Sequence, residues 1–205
     1  MRQELSEAAL NSGKIEAIRR AATHVFATKG YHTATVSEIA KEAGVGKGTV
    51  YFYFASKEDV LLAILEHHFD QMVTLLERIE HLDTDPAEAA RLVLRDIVRR
   101  LKEDPELFKI MEQQPLLYHE RVKERFEESF HTMVDRTARL LQSGIDAGIL
   151  RTFDPQIAAS VLLNTAASFP LYLSMHQDKP QDEVLDHLAD EVGDLIWAAL
   201  RNPRN

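Results

Sequence analysis

From Gly46 to Lys57 the chain reads Gly-Lys-Gly-Thr-Val-Tyr-Phe-Tyr-Phe-Ala-Ser-Lys. Carried on a short helix, these residue types suit the edges and phosphates of a nucleic-acid duplex. Lys47 can donate to guanine O6 and N7 or to a phosphate. Gly48 has no side chain, so the backbone there can come close to base edges. Thr49 is short and both donates and accepts. The hydroxyls of Tyr51 and Tyr53 can reach phosphates, and Phe52 can touch a thymine methyl. Lys57 stands at the start of the next predicted helix, whose positive end also favours phosphate. Gly46 and Thr35, each just ahead of a short helical pattern, complete the candidate set.

These side chains need two short helices set at a fixed angle. Thr35-Val36-Ser37-Glu38 is a capping box, in which the threonine and the glutamate satisfy each other's backbone N–H groups. Val36, Ile39, Ala40 and Ala43 follow at helical spacing. Gly44 can take positive φ and end that helix, and Val45 plugs the turn. The second helix buries Val50 and Phe54, and Ser56-Lys57-Glu58-Asp59 signals the start of a third. Helix, glycine turn, helix is the layout of a helix-turn-helix, whose second helix enters the DNA major groove.

Residues Lys14 to Leu61 resemble the DNA-binding head of the tetracycline-repressor (TetR-like) family of bacterial transcription regulators. The resemblance rests on Ile18, Ala21, Ala22, Phe26 and Ala27; on Gly30-Tyr31; and on Thr35-Val36, Ile39-Ala40 and Ala43-Gly44-Val45. It continues through Lys47-Gly48-Thr49-Val50-Tyr51-Phe52-Tyr53-Phe54 and Lys57. One departure is Gly46, where the family usually places Ser or Thr as the helix N-cap; glycine is an acceptable cap, and the departure removes one expected phosphate contact. The resemblance implies a dimer formed through the last two helices and a small-molecule pocket in the C-terminal body.

Composition agrees with such a protein. The 205 residues are 45% hydrophobic and 28% charged, with no cysteine. Disulfides, thiolate metal sites and cysteine catalysis are therefore excluded, and a reducing cytoplasm is expected. No apolar run is long enough for a membrane span, and the N-terminus is neither a signal nor a transit peptide. Net charge is −9, yet residues 1–60 hold eight Lys/Arg against seven Asp/Glu, and the remainder sixteen against twenty-six. The acid lies outside the proposed head, so weak non-specific DNA affinity and a modest salt dependence are expected.

The expected fold is all-α: a three-helix head over residues 1–55 and a helical ligand-sensing, dimerising body over 56–205. Residues 1–13 read as a frayed arm and Lys14 to Lys29 as the first helix. The head core is expected from Ile18, Ala22, Phe26, Ile39, Ala40, Val45, Val50 and Phe54. One continuous helix is predicted from Ser56 to about Leu82, followed by helices from Pro86 to Glu103, from Pro105, and from His119 to about Ala147. Glu88, Arg91, Arg95, Arg99 and Lys102 form a strip that reads as a solvated, acid-paired face, with an anion site as the alternative. A further helix from Pro155 to about His176 is apolar nearly all round, with Pro170 kinking or weakening it, and a last one runs from Gln181 to about Arg201. Covering both calls for a twofold partner, with Val161, Leu162, Ala166, Leu185, Leu188, Val192, Leu195 and Ile196 at the homodimer interface.

Candidates for a hydrophobic effector pocket are Phe108, Met111, Tyr118, Phe126, Phe130, Met133, Phe169 and Tyr172; each reads equally as plain core. Branches of the family that sense fatty acyl-coenzyme A have similar heads, and the arginine strip would suit such a ligand's phosphates. No catalytic residues, metal or cofactor are expected. Gly44-Val45-Gly46-Lys47-Gly48 lacks phosphate-loop spacing. His67 and His68 read as surface residues, and His187 with Glu191 is a weak metal pair. The function read from the sequence is a ligand-responsive transcription regulator, most simply a repressor, binding a palindromic double-stranded operator as a dimer. Effector, operator and regulated genes are not encoded in these patterns.

Overall fold

The structure, a computed structural model, describes residues 2–82, 86–112, 120–169, 172, 175–176 and 180–203. The fold is all-α, as expected. The described helices are α1 (Arg2–Lys29), α2 (Val36–Glu42), α3 (Lys47–Tyr53), α4 (Lys57–Glu80), α5 (Pro86–Glu103), α6 (Pro105–Glu112), α7 (Glu120–Asp146), α8 (Pro155–Ala167) and α9 (Gln181–Leu200). Among the described residues the only extended pairing is an isolated antiparallel bridge between Leu150 and Arg201.

The chain forms two compact units. The first comprises residues 1–68 and 106–126, the second residues 69–105 and 127–205. In the first, Ile18, Ala22, Phe26, Ile39, Ala40, Val50 and Phe54 are buried as expected, while Val45 is only partly covered. The same unit buries Val60, Leu61, Ile64 and Leu65 of α4, Leu107 and Ile110 of α6, and Val122 of α7. In the second unit, Val134, Ala138 and Leu141 of α7 form a cluster with Leu150 and Ala159, and Phe130, Trp197 and Leu200 pack against it. There α9 approaches α5 closely: a Cβ added at Gly193 would lie 3.4 Å from the Leu94 side chain. The segment after α9 is tied to the α7–α8 connection. Arg151 N–H donates to Leu200 O at 3.0 Å and Asn202 N–H to Ile149 O at 2.9 Å.

Two expectations are corrected. The frayed arm over residues 1–13 is instead helical from Arg2, so α1 begins twelve positions before Lys14. Glu4, Glu7, Ala8, Ala9 and Leu10 are good helix formers, and Gly13 costs only about 1 kcal/mol in a helix interior, too little to stop propagation. The helix predicted from Pro155 to His176 ends at Ala167, where Ser168 N–H turns to Thr165 O at 3.1 Å. A proline at position 170 has no N–H to donate and clashes with the carbonyl four residues back, so the helix is interrupted there, as the expected kink requires; Phe169 and Tyr172 are again helical, with Tyr172 N–H donating to Ser168 O at 3.1 Å. Pro170 itself lies outside the described residues.

Candidate functional site

Helices α2 and α3 are set by local chemistry. Thr35 Oγ accepts from Glu38 N–H at 3.3 Å, and Thr35 N–H donates to the Glu38 carboxylate at 2.9 Å, which completes the capping box. Lys29 donates to the same carboxylate at 2.6 Å. That bond and the two from Thr35 hold the Glu38 pKa at about 2, below its ordinary 4.5. At the other end of α2, Gly44 has φ 67°. Val45 N–H reaches Ala40 O at 3.0 Å and Gly44 N–H reaches Lys41 O at 3.2 Å. This pair of bonds is a Schellman motif, and it fixes the direction in which the chain leaves for α3.

Helix α3 turns Val50 inward, 1% exposed, and its other side to solvent. Gly46, Lys47, Gly48, Tyr51 and Phe52 are all exposed, and Phe52 is 78% exposed, a large ring standing in water. Lys47 Nζ lies 5.8 Å from the Tyr51 ring centroid one turn on. Thr49 is partly buried. Tyr53 is also partly buried; its hydroxyl donates to Asn11 Oδ1 of α1 at 2.6 Å, and its ring meets Phe52 edge-on at 5.0 Å. Gly46 caps α3 with its backbone alone, accepting from Thr49 N–H at 2.9 Å.

Two members of the predicted contact set are engaged inside the chain. The Thr35 hydroxyl is held by the capping box. Lys57 Nζ donates to the carbonyls of Tyr31, Ala34 and His32 at 2.6, 2.8 and 3.2 Å and lies 4.5 Å from the Tyr31 ring centroid. Burial lowers its pKa. In this structure Lys57 ties the α1–α2 connection to the start of α4 instead of standing free for a phosphate. Ser56 and Asp59 cap α4 reciprocally, at 2.7 and 3.1 Å. Elsewhere in this unit His24 of α1 and Glu106 of α6 are 2.7 Å apart, and that hydrogen bond raises the His24 pKa above its ordinary value. His68, expected at the surface, is partly buried and meets the Phe108 ring edge-on at 6.0 Å.

The second unit contains an apolar cavity of about 340 Å³. Its walls come from α4 (Leu76, Ile79), α5 (Val93, Leu94, Ile97), α7 (Thr137, Leu140, Leu141), α8 (Leu162, Leu163) and α9 (Ile196), with Glu80 and the half-exposed Leu82 also lining it. None of the six effector-pocket candidates with described side chains lines this cavity. Phe108 and Phe126 belong to the first unit and are partly buried. Phe130 packs on the α7 cluster, Met133 and Phe169 are buried, and Tyr172 is 38% exposed, stacked on His176 at 4.2 Å. The Met111 side chain and Tyr118 lie outside the described residues. The wall is instead Leu, Ile and Val, types whose helical spacing in a sequence is the same whether they face a cavity or a filled core.

The charged strip on α5 is paired where its side chains are described; the Arg91 side chain lies outside the described residues. Arg95 is 3.6 Å from Glu88, Arg99 bonds Asp96 and Glu103, and Lys102 is 2.8 Å from Asp186 of α9. This favours the solvated-face reading over an anion site. Of the interface candidates, Val161 and Leu195 are 60% and 68% exposed, and Leu162, Leu188, Val192 and Ile196 are partly buried. Leu185, only 2% exposed, has almost no surface left for a partner, and the Ala166 side chain lies outside the described residues. Ile157, 66% exposed, stands one turn before Val161 on α8.

Known proteins share this architecture. The family model for bacterial regulatory proteins of the tetR family matches residues 18–64. The fatty acid metabolism regulator protein of Bacillus subtilis is 27% identical over 183 residues, 89% of this chain and 93% of that protein. The crystal structure of the transcriptional regulator FadR from Bacillus subtilis in complex with stearoyl-CoA superposes with a TM-score of 0.78. It is 28% identical, and the match covers 90% of this chain and 98% of that one. SmeT, the repressor of the Stenotrophomonas maltophilia multidrug efflux pump SmeDEF, gives a TM-score of 0.73 at 30% identity, over 92% of this chain and 91% of that one.

Proposed function

We propose a mechanism from the premise that this chain belongs to the tetR family of bacterial regulatory proteins and is a DNA-binding transcription regulator. It acts as a cytoplasmic homodimer without catalytic activity and represses by occupying a palindromic operator. Residues 1–55 read the DNA; residues 56–205 dimerise and bind the effector. The observation that carries this reading is the exposed face of α3: Lys47, Gly48, Tyr51 and Phe52 stand in solvent behind a turn fixed by Gly44. Lys47 reads a base edge, Phe52 meets a thymine methyl, and Tyr51 contacts phosphate. Thr49 and Tyr53 sit at the margin of that face, and Gly46 and Gly48 let the backbone approach.

Dimerisation is supported by the apolar side chains that α8 and α9 leave in water: Ile157, Val161 and Leu195. A partner presenting the same surface would remove them from solvent, as isologous pairing requires. The effector is a fatty acyl compound, with acyl-coenzyme A the first to test. Support comes from the aliphatic cavity and from the stearoyl-CoA bound to a similar protein. Ligand binding favours a dimer whose two α3 helices no longer match successive major grooves. That needs a difference in affinity between the two states of order 1–3 kcal/mol.

Fluorescence anisotropy with duplexes from the chain's own upstream region tests the DNA reading. The operator should bind at least about a thousandfold more tightly than a scrambled duplex. Lys47→Ala should cost about 1–3 kcal/mol of that discrimination. Equal binding to every duplex by the unaltered protein would rule the reading out.

A further inference from the structure

The cavity of the second unit has one polar wall atom in an unusual state. Thr137 Oγ1 is buried and makes no hydrogen bond. Five other helical threonines donate to the carbonyl four residues back: Thr23 to Arg19, Thr28 to His24, Thr74 to Asp70, Thr132 to Glu128 and Thr165 to Val161, at 2.7–3.1 Å. Thr137 does not make this bond, and it lines the cavity. A buried hydroxyl without a partner is costly, and native structures rarely leave one unless something else satisfies it.

Two further observations define that partner. The cavity, about 340 Å³, is roughly twice the ~150 Å³ that admits a six-carbon benzene ring, so it holds on the order of a dozen carbon atoms. Among the described residues its one ionisable wall residue is Glu80, which accepts from Arg136 at 3.0 Å and from Arg139 at 3.3 Å, while Arg136 also bonds Glu77. Both guanidiniums are thus engaged by carboxylates, and Arg136, whose buried Nε has no partner, is not part of the wall. A ligand carboxylate beside Thr137 would find no unengaged cation among the described wall residues, whereas a neutral carbonyl needs none. Arg136 directly precedes Thr137 and holds Glu80, two residues before the half-exposed Leu82. Thr137 and Leu82 line the same cavity, so a carbonyl held by Thr137 fits an acyl thioester whose large head group stays outside.

We propose that Thr137 is the polar anchor of the effector site. Its hydroxyl donates to the neutral carbonyl of an ester or thioester whose chain, roughly 8–12 carbons long, fills the aliphatic cavity. This rests on the acyl-effector reading above and goes beyond it in naming the anchoring residue and the chain length.

The test titrates the full-length protein with octanoyl-, dodecanoyl- and stearoyl-coenzyme A and with free coenzyme A, following the single tryptophan, Trp197, by fluorescence. Dodecanoyl-coenzyme A should bind about tenfold more tightly than stearoyl, because overfilling a packed cavity is unfavourable. Thr137→Val, nearly equal in volume, should weaken dodecanoyl binding about fivefold, the loss of one neutral hydrogen bond. Its melting temperature should not fall, and Thr137→Ser should restore binding. Equal or tighter stearoyl binding, or unaltered affinity in Thr137→Val, would overturn this proposal and leave the acyl reading standing. No response to any acyl chain would overturn both.

Discussion

The turn between α2 and α3 and the cavity of the second unit are built in opposite ways. At the turn every determinant lies within about ten residues: the Thr35–Glu38 box, Gly44 at φ 67°, and Val45 closing on Ala40. The cavity takes its wall from five helices, with Leu76 and Ile196 one hundred and twenty positions apart. A locally specified element is rigid in one geometry and tolerates little change. A space enclosed by distant aliphatic side chains has slack, and slack is what a ligand can fill.

The largest contrast should come from adding volume in each place. Ala22 is 0% exposed in the first unit's core, so Ala22→Leu should destabilise by about 2–3 kcal/mol in chemical denaturation. Ala89 lines the cavity, and Ala89→Leu should leave stability unchanged or raise it while weakening acyl binding. Similar losses for both would mean that the cavity is as tightly packed as the core.

Next in size is Gly44. A Cβ there meets nothing within 4 Å, so any cost is purely conformational. Gly44→Val should cost about 2 kcal/mol and abolish operator binding, and Gly44→Asn about 1 kcal/mol or less. Equal effects of the two would show that the left-handed backbone is not what matters. Lys57 sharpens the comparison further, because its three carbonyl partners all lie in the α1–α2 connection. Lys57→Ala should lower stability by about 1–2 kcal/mol. With operator affinity measured well below the melting temperature nearly unchanged, the lysine would be structural; an unchanged melt with uniformly weaker DNA binding would restore it to phosphate contact.

The smallest effect is one of pH. Glu38 titrates at about 2 in the fold against an ordinary 4.5. A depressed carboxylate stabilises fully above the ordinary value, and its contribution fades as pH falls through the folded value. Acid melts of wild type should therefore lose stability between pH 4.5 and about 2 more steeply than melts of Glu38→Gln. Parallel curves would remove the capping box from the stability of α2.

How much was legible follows the same division. The α2 cap, the Gly44 turn, the buried Val50 and Phe54, and the exposed Lys47 and Phe52 follow from neighbours in the chain, and the fold matches the expectation there. The helical extension of α1 to Arg2 was missed because Asn11-Ser12-Gly13 resembles a break, and propagation along an established helix overrides one weak glycine. The carbonyl partners of Lys57 were not legible, because a lysine at a helix start reads as a phosphate ligand unless one knows that three carbonyls converge on it. The aromatic residues proposed for the pocket were chosen by size and flexibility, and those with described side chains lie elsewhere, from the buried Phe169 to the exposed Tyr172.

The sequence by itself determined most of the helices, the α2 cap and the exposed face of α3, because hydrogen bonds within a turn of helix and the period of apolar residues act between positions close along the chain. Only the tertiary structure decided which aliphatic side chains leave a space between them, that Thr137 lines it without a hydrogen-bond partner, and that Arg95, Arg99 and Lys102 of α5 are paired with acids. Those outcomes depend on how residues far apart in the chain pack and pair, and the types Leu, Ile, Thr and Arg carry no mark of it.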